Sequence, residues 1–165
     1  MKDFESLYGE FFPKIYNYIF YRLLDRDQTD DLVSEVFTRA FEKLDTYDER
    51  KAQFSTWIFT IARNALIDEQ RRKKEIASLD ADVPDIPSSV DVQMAFIQGE
   101  ERKALYSLIA KMNERDRDII AMKYFAGMTN RKIAAELGMN ESTVSSVVYN
   151  AMSKLRSGLR ELQVR

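Results

Sequence analysis

The sequence predicts an all-α fold made of two small helical domains joined by an acidic, flexible linker. Hydrophobic residues make up 45% of the 165 positions, and they recur at helical spacing in most of the chain. Glycine and proline number only 5 and 3, which favours helices over turn-rich sheets. Pro84 and Pro87 lie together in a segment without any helical period. The predicted division is therefore a domain over 1–75, a linker over 76–93 and a domain over 94–165.

Three amphipathic helices are predicted in the first domain, enough to enclose one small core. Pro13 is expected to kink or break the first, because proline lacks the N–H of the helical ladder. Asp27 or Thr29 is expected to cap the second. The predicted helices cover residues 4–24, 30–44 and 54–72.

The second domain is predicted to contain four helices. Asn113 and Thr129 have the side chains that cap helix starts, and Gly138 suits a left-handed helix end. Asn140 is expected to cap the last helix. The first three helices are predicted over residues 94–112, 114–126 and 130–137.

The composition excludes several classes of chemistry. The chain has no cysteine and no histidine. It therefore lacks disulfides, cysteine- or histidine-ligated metal sites and the commonest general base. We expect a protein that is not an enzyme and that holds no cofactor or metal.

The sequence contains no candidate membrane span. No apolar run approaches the roughly 18 residues that a spanning helix needs. The first ten residues are polar and acidic, unlike a secretory signal. The expected location is the cytoplasm, without membrane insertion.

Charge is strongly segregated along the chain. The net charge of −2 divides into −6 over residues 1–49, +5 over 50–74, −7 over 75–101 and +6 over 102–165. A polyanion responds to the local field, so the acidic average does not exclude nucleic-acid binding. Differently charged solvated faces would give the same pattern.

The segment NRKIAAELGMNESTVSSVVY has the pattern of a helix-turn-helix. Ala134 is small where two helices cross, Gly138 turns the chain, and Val144 and Val147 face inward. Short hydroxyl and amide side chains face outward, where they can reach bases or phosphates in a major groove. The alternative is an ordinary helical hairpin with glycine in its turn.

The third helix of the first domain has a second, polar face. It ends in the basic run of residues 71–74 and follows a loop that contains Tyr47, Arg50 and Lys51. Basic and aromatic groups together suit single-stranded nucleic acid, although a basic helix end also complements its own dipole. The second helix instead has an acidic face, which either meets solvent or docks on a basic partner.

Two blocks of the sequence resemble one family. DDLVSEVFTRAFEKLDTY, followed by FSTWIFTIARNALIDEQRR, resembles region 2 of the extracytoplasmic-function (group IV) sigma factors of bacterial RNA polymerase. The family pattern there is close to EDLxQEVFxRAWxxLxxF and FxxWLxxIARNxxxDxxRR. MNERDRDIIAMKYFAGMTNRKIAAELGMNESTVSSVVYNAMSKLRSGL resembles their region 4. The two blocks occur in the family's order, with a variable linker between them.

The resemblance implies an alternative sigma factor that binds core RNA polymerase and directs promoter-specific transcription initiation. Region 2 would bind the coiled coil of the β′ subunit and open the minus-10 element. Region 4 would read the minus-35 element as duplex DNA and meet the β flap. Promoter DNA and an anti-sigma factor are further implied partners.

The resemblance also assigns residues to three surfaces. Asn64 would line a pocket for an unpaired base, Trp57 is expected in the core, and Phe37 either contacts polymerase or packs inside. Implied polymerase contacts are Asp31, Leu32, Ser34, Glu35, Thr38 and Glu42. Implied minus-10 contacts are Tyr47, Lys51, Thr56, Thr60, Arg63, Asn64, Arg71 and Arg72. Implied minus-35 contacts are Asn130, Arg131, Lys132, Thr143, Ser145, Ser146, Tyr149, Asn150 and Lys154.

The chain departs from the family pattern at several contact positions. Ser34 replaces a glutamine of the polymerase-binding motif, and Lys132 replaces a glutamate. Val147, Asn150 and Met152 occupy recognition-helix positions that usually hold arginine or lysine. A bidentate arginine–guanine pair contributes about 1–3 kcal/mol, so the minus-35 sequence cannot be borrowed from relatives.

Two other functions compete with this interpretation. A stand-alone helix-turn-helix regulator would bind duplex DNA without polymerase, and the block at residues 54–72 would then have no role. A helical enzyme would have to work through carboxylates such as Glu35 and Glu42, without the Glu-x-x-His partner of a di-metal site.

Overall fold

The structure, a computed structural model, describes residues 3–79 and 99–163. Within these ranges the chain forms seven α-helices and no strand, which confirms the all-α prediction. None of the described helices is sufficiently long and apolar to cross a membrane. The helices are α1 (Phe4–Leu23), α2 (Arg26–Glu42), α3 (Phe54–Leu79), α4 (Glu100–Ala110), α5 (Glu114–Tyr124), α6 (Asn130–Leu137) and α7 (Glu141–Gln163).

Helix α1 runs without a break through Pro13, so the predicted break does not occur. Asp3 caps its start by accepting a hydrogen bond from the Ser6 N–H at 2.8 Å. Phe11 and Ile15 lie on either side of the proline and are both buried. The loss of one backbone hydrogen bond is thus offset by packing on both sides of it.

Helix α2 starts earlier than predicted and has a different cap. Asp25, not Asp27 or Thr29, accepts the N–H of Gln28 at 3.0 Å. Thr29 is fully buried, and its hydroxyl donates to the Asp25 carbonyl at 2.6 Å. Leu24 ends α1 in the left-handed conformation, with φ of 56°, so the two helices follow each other almost directly. Propensity alone does not reveal so short a connection.

Helix α3 is longer than predicted. It ends at Leu79 rather than at residue 72, because the segment KKEIASL consists mostly of helix-compatible residues. The predicted linker start at residue 76 is therefore still helical. The linker from residue 80 onward, and the predicted start of the next helix at residue 94, lie outside the described residues.

Three predicted local signals of the second domain, at Asn113, Thr129 and Gly138, are confirmed. Asn113 accepts the Asp116 N–H at 2.9 Å, and Thr129 accepts the Lys132 N–H at 3.2 Å. Gly138 adopts the left-handed conformation with φ of 63°. The carbonyl of Asn140 accepts the first hydrogen bonds of α7.

The two groups of helices share one core. Helices α1, α2 and α3 bury an apolar cluster that includes Ile15, Val36 and Ile58. Ile119 of α5 and Ile133 of α6 belong to the same cluster, because α1 packs against α5. Residues far apart in the sequence are thereby brought into contact.

Candidate protein and nucleic-acid interfaces

The acidic face of α2 is open to solvent. Asp31, Ser34, Glu35, Thr38 and Glu42 are all exposed. The amphipathic pattern places these polar side chains away from the core, as the periodicity predicts.

The predicted polymerase contacts at Leu32 and Phe37 instead lie inside the domain. Leu32 is 4% exposed and Phe37 is 6% exposed. Both side chains belong to the core cluster, so they support the face rather than form it. Of the two roles open to Phe37, the structure selects packing.

Two arginines partly neutralise the carboxylates beside this face. Arg39 forms an ion pair with Glu35 and lies 3.5 Å from Asp68 of α3. Arg72 pairs with Glu69 at 2.7 Å. A polar cleft of about 410 Å³ follows this seam between α2 and α3.

An aromatic groove adjoins the acidic face on the other side of α2, and sequence reasoning missed it. It has a volume of about 530 Å³. Tyr8 is 42% exposed and Phe41 is 64% exposed, so the groove presents apolar surface to solvent. The aromatic groove is lined by Phe4, Tyr8, Phe12, Tyr16, Asp30, Val33, Ser34, Phe37, Thr38 and Phe41.

A sequence signal for the aromatic groove exists. Aromatic residues recur every four positions at 4, 8, 12 and 16, a stripe offset from the fully buried positions of α1. Tyr16 contacts Asp30 at one end of the groove, and burial followed by the charge of Asp30 raises the pKa of its phenol. Ser34 and Thr38 belong both to the groove and to the acidic face, which makes the two continuous.

The predicted minus-10 residues of α3 face the second domain. Thr56, Thr60 and Arg63 line a cavity of about 180 Å³ whose opposite wall includes Lys132 and Glu136 of α6. Arg63 Nη1 lies 3.0 Å from the Glu136 carboxylate, and Arg63 Nη2 donates to the Glu136 carbonyl at 3.0 Å. The structure thus brings three predicted minus-10 residues together at this cavity, where Thr56 and Arg63 are partly buried and Thr60 stays exposed.

The remaining predicted minus-10 residues are distributed along the rest of α3 and its preceding loop. Tyr47 donates from its hydroxyl to the Ala52 carbonyl at 3.0 Å, and its ring lies 5.1 Å from that of Trp57. Trp57 packs against the core, as expected. Lys51, Asn64, Arg71 and Arg72 are exposed.

The residues of α7 that are buried and those that are exposed are the ones the sequence pattern predicts. Val144 is fully buried, and Val147 is 9% exposed. At position 147, where the resemblance would place an arginine, this chain therefore uses the side chain for packing. The outward residues Thr143, Ser145, Ser146, Tyr149, Asn150 and Lys154 are exposed, and Arg131 is exposed on α6.

A hydrogen bond fixes the start of α6 to α7. Asn130 Nδ2 donates to Ser145 Oγ at 3.0 Å, and Ser145 Oγ in turn donates to the Glu141 carbonyl at 3.0 Å. Lys132, predicted with this group, instead lines the cavity against α3. The helix-turn-helix thus divides its polar residues between the open recognition face and the first domain.

Arg22 links the two domains, although nothing in the sequence pattern marks it. Its side chain is only 9% exposed, and its Nε lies 3.0 Å from Asp118 of α5. Its Nη2 lies 3.2 Å from Glu114, which also accepts a hydrogen bond from Gln70 of α3 at 2.7 Å. Burial, and then repulsion from Arg22, lowers the pKa of Arg117.

Comparison with known proteins gives a consistent family match. The model of sigma-70 region 2 matches residues 7–76, and the model of sigma-70 region 4 matches residues 102–155. The matched blocks cover α1 to α3 and α4 to most of α7.

Curated relatives match over nearly the whole chain. The ECF RNA polymerase sigma factor RpoE of Cereibacter sphaeroides is 30% identical over 93% of this chain and 84% of its own length. SigX of Bacillus subtilis, another ECF sigma factor, is 26% identical over 98% of this chain and 86% of its own length. BldN of Streptomyces coelicolor is 25% identical over 92% of this chain, which spans 58% of that relative.

A solved structure shares the fold. It is a sigma factor RpoE crystallised with the anti-sigma factor NepR, from Bartonella quintana. The two chains superpose with a TM-score of 0.68 at 23% identity, over 97% of this chain and 98% of the other.

Proposed function

The chain belongs to the extracytoplasmic-function group of the sigma-70 family, whose members direct transcription initiation by RNA polymerase, and we propose how its surfaces divide that work. The family consists of non-enzymatic initiation factors, so the chemistry belongs to polymerase. The proposed units are region 2, comprising α1 to α3, and region 4, comprising α4 to α7. They act in the cytoplasm, where polymerase transcribes.

Region 2 docks on polymerase through the acidic face of α2. Asp31, Glu35 and Glu42 present carboxylates to a basic surface, which we take to be the β′ coiled coil. Exposed charges of this kind accelerate encounter and make binding sensitive to salt. Their exposure in the present structure supports this role.

The aromatic groove extends the docking surface. Its Ser34 and Thr38 are shared with the acidic face, so one partner can cover both. Exposed aromatic side chains at the centre of an interface often dominate its binding energy. Phe41, the most exposed of them, is the proposed apolar anchor.

The face of α3 holds the unpaired minus-10 strand. In this proposal Thr56, Thr60 and Arg63 contact its backbone once region 4 has moved away, and the exposed Asn64 offers its amide to a base edge. The basic residues 71–74 supply further phosphate contacts.

Region 4 reads the minus-35 duplex with α7. The reading uses exposed hydroxyl, amide and phenol groups, because Val147, Asn150 and Met152 occupy the usual arginine or lysine positions; Tyr149, 73% exposed, is the largest of these groups. Arg131 and Lys154 neutralise flanking phosphates. Region 4 also meets the β flap.

An anti-sigma factor regulates the chain. The RpoE of known structure was crystallised with one, and the present chain shares its fold. The partner would have to prevent polymerase docking, for which the acidic face and the aromatic groove of region 2 offer exposed surface.

The observation that carries the proposal is the exposed acidic face of α2 inside a region 2 match that precedes a region 4 match. Co-elution of the purified chain with sigma-free core polymerase tests it. Glu35→Lys is expected to abolish co-elution. The matched control is Glu161→Lys, which makes the same charge change at an exposed position of α7.

A second variant separates docking from DNA opening. Asn64→Ala is expected to co-elute normally with polymerase and to lower promoter opening in run-off transcription. A stand-alone regulator would instead bind duplex DNA without polymerase, and neither Glu35→Lys nor Asn64→Ala would change that binding.

A further inference from the structure

The second domain lies against part of the minus-10 face of the first, around Thr56 and Arg63. Arg63 is held from two sides by Glu136, through its carboxylate and its backbone carbonyl, both at 3.0 Å. Lys132 and Glu136 close the cavity that Thr56 and Thr60 open onto. A guanidinium engaged by a carboxylate cannot at the same time engage a phosphate.

We propose that region 4 acts as an intramolecular competitor of DNA, holding the unbound chain closed with Arg63 and the part of the minus-10 face around it occupied. The closure depends on contacts between α1 and α5 and between α3 and α6. The proposal goes beyond the assignment of surfaces above, and its DNA-binding consequence rests on the assignment of α3.

The α1–α5 contact is both apolar and ionic. The rings of Tyr21 and Phe125 stack in parallel at 5.3 Å between centroids. Beside them, Arg22 is almost fully covered and faces Glu114 and Asp118. The positive charge of Arg22 can be buried in this contact because its carboxylate partners are in place. A negative charge at the same position would repel them and strongly destabilise the contact.

Charge complementarity explains why these faces meet. The residues of α3 that enter the contact come from the basic stretch over 50–74. The groups that meet Arg22, Arg63 and Gln70 are the carboxylates of Glu114, Asp118 and Glu136. Of these groups, Glu136 takes the place at Arg63 that a phosphate would otherwise occupy, and Glu114 and Asp118 hold the domains together.

The closed arrangement leaves the polymerase face free. Asp31, Glu35 and Phe41 are exposed on the other side of region 2. Polymerase can therefore dock before the domains separate. The apparent DNA affinity of the unbound chain, in contrast, is the affinity of the open form multiplied by the fraction of molecules that are open.

Fluorescence energy transfer measures the closure directly. The chain has no native cysteine, so Lys43→Cys and Ala135→Cys, both at exposed positions, place one dye on each domain. We expect high transfer efficiency in the otherwise unchanged chain. Arg22→Glu should lower it, because three carboxylates then face one another, and Arg22→Glu with Asp118→Arg should restore it.

A fluorescein-labelled, random-sequence single-stranded 20-mer tests the competition with DNA. Arg22→Glu makes the chain two charge units more negative, which by itself weakens DNA binding. We nevertheless expect it to bind the oligonucleotide about tenfold more tightly, in the range of ordinary coupling between sites. The double variant should return to the starting affinity, and Glu161→Arg should leave the energy transfer unchanged.

A backup variant keeps the test valid if Arg22→Glu lowers the thermal unfolding midpoint. Glu114→Gln with Glu136→Gln removes carboxylates from exposed positions and should also lower the transfer efficiency, by less than Arg22→Glu because solvent screens both pairs. Equal transfer in the parent and both opening variants would overturn the proposal. Opening without a gain in DNA affinity would overturn it as well. Co-elution of the parent chain with core polymerase is scored separately, so failure of the sigma assignment is distinguishable.

Discussion

Two faces of the same three-helix domain differ in what covers them. The outer face of α2 is acidic, borders an aromatic groove and is open to solvent. The polar face of α3 is basic at Arg63 and is partly covered there by α6. The difference follows from charge, since the second domain offers carboxylates where α3 passes it. One domain thus keeps its proposed polymerase-binding face available while part of its proposed nucleic-acid face is occupied.

A cavity in the core that the two domains share should change the free energy of unfolding more than any other substitution considered below. Ile119 of α5 is fully buried where the two domains meet. Ile119→Ala is expected to lower the free energy of unfolding by about 2–5 kcal/mol, through lost transfer energy and a cavity. Urea unfolding followed by circular dichroism measures it. Ile76→Ala, at a site 54% exposed, is the control and should change stability by less than about 0.5 kcal/mol.

The open face can be weakened without touching the core. Phe41→Ala is expected to leave stability within about 0.5 kcal/mol, because the ring is 64% exposed. Polymerase affinity should nevertheless fall by about 1–2 kcal/mol, as for an aromatic anchor. Titration of labelled chain with core polymerase measures it. An unchanged affinity would remove the aromatic groove from the docking surface.

The outward face of α7 is exposed to solvent, like the acidic face of α2, but a hydrogen bond between Asn130 and Ser145 also ties it to α6. Asn130→Ala removes the bond to Ser145 and should cost about 0.5–1.5 kcal/mol of stability. Duplex minus-35 binding by holoenzyme should weaken, while binding of the chain to polymerase stays the same. If stability falls and duplex binding does not, Asn130 is structural only.

The ion pair over the covered face should have the smallest effect on stability. The side chains of Arg63 and Glu136 are 27% and 39% exposed, so solvent screens the pair. Glu136→Gln is expected to lower the free energy of unfolding by only a few tenths of a kcal/mol. It should also reduce the salt dependence of the energy transfer between 0.05 and 1 M salt, since screening acts on that charge. A salt dependence identical to that of the parent would assign the closure to apolar contact alone.

Local sequence signals predicted local structure well. Asn113, Thr129 and Gly138 act within four residues of themselves, and all three have the predicted roles. Pro13 misled because its effect on α1 depends on what the flanking residues pack against. Asp25 was missed as the cap of α2 because α1 ends at Leu23 and α2 begins at Arg26, so the two helices are almost continuous in sequence.

The surface assignments also divide into those that a local pattern could decide and those that depend on tertiary packing. Helical periodicity placed Asp31 and Glu35 outside, since polarity alone decides that. It could not decide whether Leu32 and Phe37 contact polymerase or pack in the core. The aromatic groove escaped notice because its α1 stripe lies beside the core stripe and differs from it only in tertiary exposure.

The sequence by itself determined that the chain is helical, where most of the described helices begin, and which polar faces they have. Those properties arise from hydrogen bonds and apolar spacing within a few residues. Only the tertiary structure decided that Arg22 would be buried against Asp118, that Arg63 would meet Glu136 and that Lys132 would turn toward α3. The two ion pairs join residues more than 70 positions apart, and their pairing depends on how the two sets of helices pack.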